Sequence, residues 1–297
     1  VSDSKNFCKQ INNTLFCSFN PIQKTSSDFT TIFIKVNQCD NKKITTSVND
    51  LNSYDNSNTN DIINSDININ CYYNDFQIKR VTSLEAKGPG SLDEAIKTIG
   101  KKIIVFEVGG VIDLRSKIEG IFSTGLIINE PFTIIAGETA PFPGVSLIGA
   151  GIIVNASNVT VKHLRIRIGN DTNTPLTSGD GLKVIGTSKN PTENLLIESM
   201  SLMWATDENG EAYSPGGGGV KNITFNKVIF AEGLNFAGRI NSDGSRRSHS
   251  HGILIGDGSK EITISKSLFV SNQKRNPWLT DDSTALIINN VIANPAN

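Results

Sequence analysis

Apolar and polar residues alternate in five segments of this chain, each followed by a second short apolar run. The segments are Asn158-VTVKHLRI, Asn194-LLIESMSL, Asn222-ITFNKVIF, Glu261-ITISKSLF and Ala285-LIINNVIA. Their starts lie 36, 28, 39 and 24 residues apart. Period-two alternation predicts half-buried strands. Repeated short strands at such steps predict coils that stack, each burying its apolar side against the next. A coil has a minimum length, so the uneven surplus must leave as loops, usually on one face. Chemistry is expected on that face.

Upstream, the pattern predicts more strands at Lys101-KIIVFEVGGVIDL (two, joined at Gly109-Gly110), Leu126-II, Phe132-TIIA, Val145-SLI and Gly151-IIV. One helix is predicted, from about Ser91 to Ile99. Ser91 suits an N-cap, Glu94 sits three residues on, and Leu92, Ala95 and Ile96 form an apolar stripe. A helix there would cover the open end of the coil stack, where an exposed edge would invite pairing. The fold class predicted is all-β: a right-handed parallel β-helix over about residues 76–297.

Residues 1–75 differ in character. Thr14-LFCSF and Phe29-TTIFIKV alternate like strands, and Asp50-LNSYDNSNTND reads as a polar strand terminus or a solvated linker. A separate small β-sandwich-like domain or fragment is expected. All four cysteines, Cys8, Cys17, Cys39 and Cys71, fall here. An even count in one small region reads as a disulfide set from an oxidising compartment, with buried free thiols the alternative. Cys8–Cys17 across a hairpin is the first of three connectivities, leaving Cys39–Cys71.

Composition changes the picture little. Of 297 residues 37% are hydrophobic and 19% charged, and the net charge of −1 names neither a nucleic-acid nor a membrane partner. No apolar run approaches the ~20 residues of a spanning helix. The chain starts at Val1 and stops at Asn297, just after a repeat. An open coil there would expose apolar surface, so further coils or a cap are expected in a longer protein.

Specific residues add a resemblance. GPGSLDEAI, IIVFEVGGVIDL, FTIIAGETAPFPGVSL, NVTVKHLRIRIGND, SLMWATDEN, VIFAEGL, HSHGILIG, LFVSNQKRNP and IINNVIAN occur in that order. The series resembles polysaccharide lyase family 1, the pectate lyases, especially the pectate trisaccharide-lyase-like branch, over about residues 80–297. More weakly, CKQINNTLFCSF…TTIFIKV…TTSV…DNSNTND resembles bacterial surface repeat domains with an immunoglobulin-like fold, which act as spacers.

The lyase resemblance implies β-elimination on a uronate polymer, aided by Ca²⁺. A base removes the proton beside the sugar carboxylate, whose charge must first be neutralised. Calcium takes hard oxygen ligands, often carboxylates. The family's acidic positions fall on Asp180, in Gly179-DGL, and on Asp207 and Glu211, with Glu208 as an alternate ligand. The family's R-x-P segment puts the base at Arg275, although a free guanidinium stays protonated at ordinary pH. Repeat register supports the grouping independently. Asp207 lies 13 residues after Asn194, and Arg275 lies 14 after Glu261. Stacked coils would set them two coils apart on one side, about 10 Å at ~4.8 Å per coil.

Three positions depart from the family pattern. Glu198-Ser199 stands where Asp-His is common, His251 where a substrate-binding lysine is common, and Trp278 where a second arginine follows R-x-P. These changes remove positive charge from a site for an anionic polymer. His249, His251 and Trp278 are the substrate-binding candidates. No cysteine or third histidine accompanies His249 and His251, since His163 lies in a distant repeat, which argues against zinc. Gly216–Gly219 lacks the Lys-Ser/Thr ending of a phosphate loop and reads as a turn. The expected activity is that of a secreted or cell-surface, monomeric, Ca²⁺-dependent pectate-type lyase. The alternative is a surface β-helix that binds polysaccharide without cleaving it. A glycoside hydrolase using Asp207 and Glu211 as its two carboxyl groups is a third possibility that the motif order does not favour.

Overall fold

The computed structural model describes the backbone of strands between residues 7 and 68, and residues 75–115, 125–169, 179–237, 243–245 and 248–295. The chain divides into two compact units, Val1–Phe76 and Gln77–Asn297.

In the first unit, β1 (Phe7–Ile11), β2 (Thr14–Ser18) and β3 (Ile32–Lys35) form an antiparallel sheet, and β4 (Lys43–Val48) pairs antiparallel with β5 (Ile63–Asn68). Cys8 faces Cys17 across β1 and β2. Cys39, Cys71 and the whole Asp50-LNSYDNSNTND stretch lie outside the described residues.

The second unit is a parallel β-helix of three sheets. The first sheet stacks β6 (Gln77–Val81), β7 (Lys102–Phe106), β10 (Thr133–Ala136), β13 (Thr160–Lys162), β16 (Thr192–Glu198), β19 (Val220–Asn226), β22 (Lys260–Ser265) and β25 (Ala285–Ile288). The second stacks β8 (Gly110–Asp113), β11 (Val145–Ile148), β14 (Leu164–Arg167), β17 (Ser201–Met203), β20 (Ile229–Ala231), β23 (Leu268–Val270) and β26 (Val291–Ala293). The third stacks β9 (Leu126–Ile128), β12 (Ile152–Val154), β15 (Leu182–Ile185), β18 (Glu208–Tyr213), β21 (His251–Gly256) and β24 (Trp278–Leu279). Each full coil thus gives one strand to each sheet. Alternate residues point inward, as in β11, β14 and β15, and these form one continuous apolar core.

The five repeats occupy consecutive rungs of the first sheet. Thr160 faces Leu196, Leu196 faces Thr224, and Thr224 faces Thr263, which are steps of 36, 28 and 39 residues. The last step is one shorter than the sequence pattern gave, because Thr263 faces Leu286 and Glu261 N–H donates to Thr284 23 residues on. The asparagine that opens three repeats has a conformational cause. Asn158, Asn194 and Asn222 have φ of 60°, 62° and 55°, a left-handed turn that asparagine tolerates better than most residues. Their side chains hydrogen-bond in a ladder, at 3.3 Å and 2.8 Å.

The predicted helix forms as α1 (Leu92–Lys97). Ser91 Oγ accepts from the Glu94 N–H at 3.2 Å, and Gly90 N–H donates to Glu94 Oε2 at 2.7 Å. These bonds satisfy amides that the first turn leaves without partners. Leu92, Ala95 and Ile96 bury against β6, β7 and β9. Among the described residues no helix is long and apolar enough to cross a membrane.

Candidate active-site groove

Four of the candidate residues arise from one feature of the coil. Asp180 precedes β15, Asp207 precedes β18, His249 precedes β21 and Arg275 precedes β24. Each therefore sits where its coil enters the third sheet, and stacking brings them to one edge. Glu208 faces His251 across β18 and β21, and His251 bridges to Lys274 on the next rung. The result is a groove of about 810 Å³, lined by Asp180, Lys183, Asp207, Glu208, Glu211, Tyr213, His249, His251, Arg275 and Trp278 among others. All the site residues expected from the sequence lie in it.

Carboxylate oxygens of Asp180, Asp207 and Glu208 lie within 4.8 Å of one another. Asp180 Oδ1 also accepts from the Glu208 N–H at 3.3 Å. Glu208, only 3% exposed, forms an ion pair with Arg275. The Arg275 guanidinium lies 4.5 Å from the centre of the half-exposed Trp278 ring. Burial pulls Arg275 below its usual range, while the charges of Asp207 and Asp180 push the other way.

Glu211 lies in the same groove, beside Asp180. It forms an ion pair with Lys183, which also lies 3.3 Å from Asp180. Glu208, the alternate ligand, stands with Asp180 and Asp207 among the gathered oxygens. Lys183 was not picked from the sequence. It faces Glu211 across β15 and β18 on the outward-pointing row. Burial pulls its ammonium down, yet Asp180 and Glu211 hold it above its ordinary value. Its neutralising charge explains how two acids sit side by side. Glu198 and Ser199, the first departure from the family, lie elsewhere: Glu198 pairs with Lys162 on the first sheet at 3.0 Å.

The Glu211 carboxyl is pushed up to about 7, first by burial and then by the charge of Asp180, with Lys183 opposing. Burial also raises Asp180. The folded chain therefore keeps a proton that the unfolded chain gives up near 4.5. Stability from this group is complete below that value and is lost as pH rises through about 7. In chelator-treated protein, the wild type should lose up to about 3 kcal/mol over that window, at ~1.4 kcal/mol per unit. Glu211→Gln should flatten that part of the curve in urea titrations run at a series of pH values. A parallel pH dependence in both proteins would show that Glu211 is not the proton held.

Three stacked sheets alone do not distinguish one parallel β-helix from another. The groove adds carboxylates, an arginine and an aromatic ring at the entrance to the third sheet of a parallel β-helix. The chain is 30% identical over 221 residues to a probable pectate lyase C of Aspergillus terreus, covering 73% of this chain and 43% of that one. It is 29% identical over 216 residues to a probable pectate lyase C of Aspergillus flavus, covering 72% and 42%. The resemblance of residues 80–297 to polysaccharide lyase family 1 is thereby borne out. The chain spans well under half the length of these relatives. No family model matches it. Among solved structures, jun a 1, the major allergen from cedar pollen, overlays with a TM-score of 0.48 at 16% identity, covering 71% of this chain and 58% of that one.

Proposed function

We propose that this protein is a secreted, calcium-dependent lyase that cleaves a pectate-type uronate polymer by β-elimination. The observation that carries this reading is the meeting of Asp180, Asp207 and Glu208 with Arg275 in one open groove. Pectate-lyase relatives support the reaction class.

The three carboxylates fit Ca²⁺, which takes several hard oxygens, and Lys183 and Arg275 offset part of their mutual repulsion. Asp180, Asp207 and Glu208 would hold the ion. When bound, it supplies positive charge that neutralises the substrate carboxylate and acidifies the adjacent C–H. The chain's own residues do the rest. Trp278 offers a ring face to a sugar, and His251 and His249 line the floor beside it. Arg275 stands at the groove wall and takes the C5 proton. The C–H electron pair becomes the C4–C5 double bond, and the C4–O bond breaks to release the leaving chain. Partial burial lowers the proton affinity of Arg275, which is the direction a base at neutral pH needs.

The test is absorbance of unsaturated products from polygalacturonate, with calcium and with chelator, on the full-length protein. Product should accumulate with calcium and stop with chelator. Asp180→Asn should weaken calcium binding at least about tenfold by calorimetry, since ligand charge sets affinity at such sites. Polymer binding with no product under either condition favours a non-cleaving polysaccharide-binding β-helix. Unaltered calcium affinity in Asp180→Asn removes the metal site described.

A further inference from the structure

The groove brings together two histidines and a carboxylate in a way that the sequence left incomplete. His249 Nδ1 lies 2.7 Å from Asp207 Oδ1, and His251 Nδ1 lies 3.7 Å from the same oxygen. The two rings are 5.0 Å apart, and all three residues are at most 9% exposed. Ser250, between the histidines, has φ of 77°, a left-handed conformation costly for serine. The third ligand missing from the histidine pair comes from the neighbouring coil.

We propose that Asp207, His249 and His251 form a binding site for a first-row transition-metal dication, with zinc as the representative ion. Two imidazoles and one carboxylate are the protein ligands of many catalytic zinc sites, which leave a fourth position open. Here the groove supplies that open side. Ligands about 2.0–2.2 Å from one ion lie no more than ~4.2 Å apart. The 3.7 Å pair already meets that limit, and the 2.7 Å hydrogen bond needs to open by less than about 1 Å to share an ion.

An independent observation points to a ligand. His251 Nδ1 is buried and makes no hydrogen bond, although Glu208 Oε1 lies 3.3 Å away. Leaving such a buried nitrogen unsatisfied is costly. An ion between the imidazoles would satisfy it. Imidazole nitrogen favours zinc, nickel or copper over calcium, which takes oxygen. Asp180 and Glu208 make the hard side of the cluster, and His249 and His251 make the softer side, with Asp207 common to both. Zinc and calcium therefore exclude each other at Asp207. The zinc site goes beyond the proposed lyase and stands without it, whereas the competition rests on the calcium reading.

The experiment is zinc titration of the chelator-stripped full-length protein by calorimetry, with cobalt(II) absorption as a second readout. Wild type should bind one zinc with micromolar or better affinity, and cobalt(II) should give a visible band. His249→Ala and His251→Ala should each weaken zinc at least about 100-fold, since even outer-shell partners are worth 10–100-fold. His251→Gln guards against a folding defect, because it keeps the volume and should lose zinc equally. Asp180→Asn should keep zinc binding while losing calcium. No zinc binding by wild type, or binding that survives both histidine changes, overturns the proposal. Loss of zinc in Asp180→Asn equal to that in the histidine variants also overturns it. A protein that binds zinc through His249 and His251 but neither binds calcium nor forms product keeps this site and loses the lyase.

Discussion

Arg275→Lys should bind polyuronate nearly as well as wild type and form unsaturated product at least about 100-fold more slowly. Lysine keeps the charge opposite Glu208, so that buried carboxylate is not left alone. It loses the planar fork and the reach that place a nitrogen at the groove wall. A positioned base is worth roughly 10²–10⁴ in rate. The loss should fall on kcat rather than KM, because the ammonium still attracts the polymer. Arg275→Ala is a poorer probe. It strands Glu208, and breaking a buried pair costs about 3–5 kcal/mol. Steady-state kinetics on polygalacturonate separate the cases. Equal rates for wild type and Arg275→Lys would assign the base elsewhere, and Lys183 would then be the next cation in the groove to test.

Phe230→Ala should destabilise the β-helix by about 3–5 kcal/mol without altering the groove residues directly. Phe230 is fully buried. Its ring stacks on Phe269 at 4.9 Å and 10°, and meets Phe225 edge-on at 5.9 Å and 61°. Gly210 makes room for it, since a Cβ there would stand 2.6 Å from Phe230 Cε1. Removing the ring leaves a cavity bordered by Phe225, Phe269 and Gly210, and stacked β-sheets relax little to fill it. Urea unfolding should show the shift in midpoint. Trp278→Ala, at a half-exposed ring, should move stability by no more than about 0.5 kcal/mol while weakening polymer binding. A Phe230→Ala loss below about 1 kcal/mol would mean that the aromatic stack does not carry the core.

The contrast between these two residues follows from what alternation along a chain encodes. Inward and outward faces are set by period two, so the strands of the first sheet and their stacking were legible in the sequence. The steps of 36, 28 and 39 residues matched because a left-handed turn opens each of these four repeats, at Asn158, Asn194, Asn222 and Glu261, and fixes its phase. The last step is one residue shorter than the alternation alone predicts, because Thr284 rather than Ala285 holds the opening register. Asp207 and Arg275 could be placed together from the same periodicity, and both line the groove.

What the sequence could not decide was pairing inside the third sheet. The coil from β19 to β21 carries a longer loop than its neighbours, so phase in the first sheet does not carry over to the third in every coil. Lys183 facing Glu211 and Glu208 facing His251 are facts of that second register. They bring Glu208 among the gathered oxygens, seat Lys183 between two acids and give the histidine pair its carboxylate. Which side chains exist, and which face each takes, was fixed by local alternation. Which of them meet was decided only when loops of unequal length closed and the coils stacked, because charge and metal chemistry depend on distances of a few ångströms that no single strand contains.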